Sequence, residues 1–233
     1  MSGYLIGPSG VASLGGGTLS FAWQSSTFVG STPAPNASMF TNQAIGTASS
    51  DRFVVVAIAW LGTGAAGMDI PSNGVTIGGV TATQAVYSRP SSRGHAVYYA
   101  NISTGTTATI GITGYTNGFI DEIVINTAII TGSATTSSPS NDVTPAYANG
   151  LTTSPALTVP VRGVSIISAV SVNNGSTSAP STWTGATLDN DQYDTNTLGI
   201  TGSMAHLTVS ATVTENSVNG GGPTGWVVAA FQP

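Results

Sequence analysis

The sequence predicts an all-β fold, an antiparallel, jelly-roll-like β-sandwich of about ten or more strands. Three observations carry this. Short runs of β-branched and aromatic residues recur along the chain, each bounded by Gly, Pro, Asn or Ser. Charged residues make up only 6% of the chain, against about 25% in an ordinary soluble domain, so the Glu-, Lys- and Arg-rich heptads of long helices are not available. Apolar residues reach 40%, which is enough to fill a core in a chain of this length.

The segments follow in order. Residues 1–17 are rich in Gly and Ser and poor in bulky apolar side chains, which predicts a flexible or partner-docking N-terminal arm. Residues 18–233 are expected to form a single β-sandwich domain. Its first strand is 19–24, where Leu19, Phe21 and Trp23 alternate onto one face. A Pro-rich loop at 32–36 ends it. Residues 52–61 are apolar on both alternating faces, so this strand should lie at the centre and be covered on both sides. Residues 75–84 form another strand, with Gly78-Gly79 marking a bulge or tight bend. Strands at 95–100, 107–113 and 122–130 complete the first half.

Residues 135–149 have no periodicity and consist mainly of Thr, Ser, Pro, Asn and Ala, which predicts a linker or long crossing loop. Beyond them, 157–159, 164–170, 206–213 and 226–231 read as strands. These are too few to close a sandwich alone, so both halves are expected to share one core. The string Gly-Ile-Thr-Gly occurs at 111–114 and again at 199–202. Its flanks do not match, and it is taken as coincidence.

Composition also excludes functions. A net charge of −5 with four cations, all of them arginine, cannot neutralise a run of phosphates, so no nucleic-acid partner is expected. The absence of Cys removes disulfides, thiolate catalysis and sulfur-ligated zinc. The first eight residues lack the basic and apolar regions of a secretory signal, and no run of eighteen apolar residues follows. Neither signal-directed export nor membrane insertion is therefore expected. A surface with so few charges lacks strong self-repulsion and suits close packing against copies of itself.

Several residues carry side chains suited to chemistry. Asp189, Asp191 and Asp194 form the densest acidic cluster and could supply oxygen ligands to calcium in a loop, although the EF-hand spacing is not met. A solvated turn bonded to its own backbone is the simpler expectation. Trp183 and Tyr193 lie near this cluster in a polar region and are the first candidates for stacking on a glycan, whereas Trp23, Trp60 and Trp226 are assigned to the core. Asp121 and Glu122 are neighbours on a strand and point to opposite faces, so they cannot share one proton. Asp51 and Arg52 read as the charged stop of a buried segment, with a small ion pair as the alternative. His95 and His206 are the two imidazoles; with no Gly-x-Ser-x-Gly elbow in the chain, both are read as structural or surface residues. No catalytic residue and no enzymatic activity is expected, and three Asn-x-Ser patterns (Asn36, Asn101, Asn174) are taken as coincidental.

The order of several segments resembles β-sandwich proteins of tailed-bacteriophage and gene-transfer-agent virions: 46–57, 75–83, 96–100, 104–110 and the closing 225–233. The resemblance rests on strand patterns across most of the chain. It implies a structural virion protein, of the head-spike, capsid-decoration or tail-fibre kind, assembling as a homo-oligomer with other virion proteins and in contact with host-surface glycan. Such a protein would be made in the host cytoplasm and work in the virion. A carbohydrate-binding module is the alternative.

Overall fold

The computed structural model describes residues 17–30, 37–63, 69–89, 93–113, 119–132, 135–136, 148–149, 151–172, 182–193, 200–216 and 223–233. Every regular element among them is a strand: β1 (Ser20–Gly30), β2 (Ala37–Ala44), β3 (Phe53–Thr63), β4 (Val75–Ile77), β5 (Val80–Thr81), β6 (Thr83–Ser88), β7 (Arg93–Asn101), β8 (Thr107–Thr113), β9 (Phe119–Thr131), β10 (Thr135–Thr136), β11 (Ala148–Asn149), β12 (Leu151–Leu157), β13 (Val164–Val172), β14 (Thr182–Thr184), β15 (Thr187–Tyr193), β16 (Ile200–Leu207), β17 (Ala211–Asn216) and β18 (Pro223–Gln232). The all-β, antiparallel, sandwich-like fold read from the sequence is what the chain adopts.

The strands form sheets of order β1-β9-β3-β7-β6 and β2-β8-β4-β5 from the first half, and β10-β18-β13-β16-β15 and β12-β17-β14 from the second, with β11 also pairing to β18. In the first half β1 pairs with β9, β2 with β8, β3 with β7 and β4 with β5. This nesting of early strands against late ones winds a chain into a jelly roll.

The sheets stack as layers. Val54, Val56, Ile58 and Trp60 of β3 point towards the β2-β8-β4-β5 sheet and meet Phe40, Val75, Ile77, Ile110 and Ile112. Val55 and Ala57, on the other face, meet Val164, Ile166, Met204, Val227 and Phe231 of the second half. A further core, built on Ile167, Ala205, Trp226 and Val228, lies beneath the β12-β17-β14 sheet and includes Leu157 and Val213. β3 is therefore central and covered on both faces, as its uninterrupted apolar run requires.

Residues of both halves meet in one buried cluster, and each half also closes a sandwich of its own. The second sandwich is hard to read from sequence because its outer sheet is built from Leu151–Leu157, Thr182–Thr184 and Ala211–Asn216, segments dominated by Thr and Ser. The ends of the stretch 135–149 run antiparallel to β18, with Thr136 opposite Phe231 and Ala148 opposite Thr224. The arm expected at 1–17 lies outside the described residues except for Gly17.

Two local features differ from expectation. β1 continues to Gly30 through a bulge between Trp23 and Ser25, and Trp23 is 38% exposed on this edge strand where alternation had placed it in the core. Arg52 does not cap its strand from outside or pair with Asp51; it is fully buried. Its Nε donates to the carbonyl of Ile102, Nη1 to those of Ile45, Gly46 and Gly105, and Nη2 to that of Thr104, at 2.7–3.0 Å. One guanidinium thus ties together the β2–β3 and β7–β8 loops, using the fan of donors that only arginine has. Asp51 instead accepts from the Ser49 hydroxyl and, at 3.0 Å, from the Gly132 amide.

Candidate functional site

Asp189 sits at a bulge in β15, between Leu188 and Asn190. Its carboxylate faces Nδ1 of His206 at 2.8 and 3.0 Å. Thr187, two residues earlier, is the cross-strand partner of His206, so strand alternation sets Asp189 on the face that carries the ring. Burial raises the Asp189 carboxyl above the ordinary Asp value, and the bond to His206 works against that rise. Phe21 of β1 stacks on the imidazole, with centroids 4.2 Å apart and planes at 29°. A carboxylate on Nδ1 is the orienting half of a catalytic triad. Here, though, the ring joins the two halves, because Phe21 belongs to the first and Asp189 and His206 to the second.

The other sequence candidates scatter. Trp183 lies on β14 opposite Glu215. It is half-buried, and its ring meets Trp226 edge to face at 6.2 Å and 81°, so it belongs to the core beneath the second outer sheet. Tyr193 ends β15 in a different sheet, opposite Thr201. Asp191 is half-buried on β15, and Asp194 lies outside the described residues. Among the described residues no group of three or more His, Asp or Glu side chains is placed to hold a metal ion. Glu122 accepts from the amide of Ile200 at 2.6 Å across the two halves; the Asp121 side chain is not among those described.

His95 is fully buried on β7, and burial pushes its pKa down to about 3. Neither ring nitrogen has a hydrogen-bond partner, so it is held as neutral imidazole and offers no proton chemistry near neutral pH.

Sequence reasoning passed over one polar cluster, at the end of β6. Tyr87 donates to Asp69, and its ring lies 5.7 Å from that of Trp60. Burial and the Asp69 charge raise the phenol above its ordinary value, while Arg89 opposes this. Next to it, Gln84 Nε2 donates to the Tyr98 hydroxyl at 3.2 Å. Asp69 lies 18 residues from Tyr87 along the chain, so only the fold brings it there; no spacing in the chain signals the pair.

A scan of protein-family models finds no match to the chain, and searches of curated proteins and of solved structures find none either.

Proposed function

We propose that this chain is a structural virion protein, a tile that assembles with copies of itself and with other particle proteins. The observation that carries this reading is the pairing of jelly-roll winding with a surface to which the whole sequence supplies only 13 formally charged side chains, 4 basic and 9 acidic. Jelly-roll sandwiches serve widely as capsid and lectin domains, and the step from fold to role is an analogy. The low charge gives it physical content, since neutral Ser- and Thr-rich faces approach one another without electrostatic penalty. Both histidines are engaged in packing rather than poised for catalysis, which fits a non-enzymatic role. Trp183, the first candidate of the glycan alternative, is half-buried with its ring edge to face on Trp226, which supports a packing role for it over a sugar-stacking one.

The test is native mass spectrometry with light scattering over a wide concentration range, together with a search for the chain in purified particles. Discrete oligomers and particle association are expected. A monomer at every concentration, absent from particles, would overturn the reading.

A further inference from the structure

The two halves correspond strand by strand. Replacing β1, β9, β3, β7 and β6 by β10, β18, β13, β16 and β15 turns the first inner sheet into the second, and replacing β2, β8 and β4 by β12, β17 and β14 does the same for the outer sheets. The correspondence extends to register. Phe53 pairs with Ile130 and Val164 with Phe231, which sets Phe53 equivalent to Val164. Counting along β3 and β13 then makes Tyr99 equivalent to His206, through Val55 and Ile166. Tyr99 pairs with Thr83, and His206 with Thr187. Both edge strands then bulge at the same place, between Gln84 and Val86 in one and between Leu188 and Asn190 in the other. A second matched irregularity separates Phe40 from Gln43 in β2 and Thr153 from Ala156 in β12. Bulges are specific features of a strand pair, so two that coincide bear more weight than strand order alone.

The contact between the halves has the same symmetry. β3 lies against β13 and β16, and β13 against β3 and β7; β9 lies against β16, and β18 against β7. Exchanging the halves maps these contacts onto one another or onto themselves, as an isologous interface requires; the departure is β1 against β15, which has no comparable contact of β10 with β6 among the described residues. Heights along the strands match as well. Asn190 donates to Asn126 at 3.0 Å; Asn126 is level with Ala57, and Asn190 is level with Ser168, the equivalent of Ala57. Glu122, level with Leu61, meets the amide of Ile200, level with Val172, the equivalent of Leu61. Equal heights meet only if the two-fold axis runs along the strands.

We infer that the chain is a fused two-fold dimer of one jelly-roll unit, and that the five-stranded inner face of that unit is a self-complementary docking surface whose partner is a second copy of the same unit. The pair Asn126–Asn190 has a symmetry mate, Val227 and Val86, and both valines lie in the shared apolar core. The same site is thus solved once by an amide–amide hydrogen bond and once by apolar contact.

The absence of native cysteine makes the test direct. Two double variants, Asn126→Cys with Asn190→Cys and Val86→Cys with Val227→Cys, each introduce the only thiols in the full chain. Under mild oxidation both pairs are expected to close within one molecule, at rates within about tenfold of each other. Closure of one pair with the other staying reduced in a folded protein would overturn the two-fold. If either cysteine variant fails to fold, thermal melting of Asn126→Val, Asn190→Val and the double substitution decides. Each single change leaves an amide unpaired in the interface, whereas the double copies the valine solution. Recovery of melting temperature in the double above the sum of the single losses is expected, and simple additivity would overturn the inference.

Discussion

The Arg52 guanidinium makes five hydrogen bonds, all to main-chain carbonyls. Arg52→Met would leave those carbonyls without their donor, and a loss of roughly 3 kcal/mol or more in denaturant unfolding is expected. Arg52→Lys should restore less than half of it, because one ammonium cannot reach both loops with the same geometry. His95 sets the pH response. Its pKa of about 3 in the fold lies below the ordinary 6.5, so between those values the unfolded chain binds a proton that the folded chain does not. Stability is therefore full above about pH 6.5 and falls as pH drops towards about 3, with close to one proton taken up on unfolding. In His95→Met this part of the acid loss should vanish from melting curves taken across that window. Asp51, held below its ordinary 3.8 by Ser49 and Gly132, acts with the same sign as pH falls below that value. Asp189, held above 3.8, acts with the opposite sign.

Among the strands, the tightest constraint is where the Trp60 ring lies against Gly94, its cross-strand partner on β7. A Cβ on Gly94 would fall 1.9 Å from Cζ2 of the indole, so Gly94 is required by contact and not by backbone angle. Gly94→Ala should cost about 3 kcal/mol, and combined with Trp60→Leu it should cost less than the two losses summed, as equilibrium unfolding of all three variants would show. Much of this level was legible in the sequence. Residues 52–61 announced a strand buried on both faces because every position from Val54 to Trp60 is apolar, and Gly78-Gly79 announced the turn between β4 and β5, where both glycines take positive φ. The second sandwich was not legible. Thr182–Thr184 and Ala211–Asn216 are strands held by their neighbours, with Trp183 and Val213 supplying apolar anchorage that local pattern does not reveal. Edge position and pairing hid the rest: Trp23 keeps its register opposite Ala128 but lies on the outermost strand of its sheet, 38% exposed, and the meeting of Asp189 with His206 depends on the pairing of β15 with β16. The repeat was hidden for a related reason. The described parts of the Gly-Ile-Thr-Gly strings, 111–113 and 200–202, fall on β8 and β16, which are not equivalent, while the true correspondence lies in pairing register and leaves little trace in residue identity.

Taken whole, the molecule is a four-layer stack with an apolar contact at its centre. Its few charges lead to a prediction about association. Contacts between neutral faces involve little screening, so raising salt well above physiological strength should shift oligomer populations by less than about threefold, measured by sedimentation velocity. A steep dependence would point to the acidic residues as the contacts. The strand-parallel two-fold has one more consequence. Ser20 stands opposite Thr131 and Gln232 opposite Thr135, so the chain enters and leaves the fold at the same end, where the Leu19 amide also bonds the Arg162 carbonyl. A tether joined at either point would hold both sandwiches upright, with their far ends directed away from it.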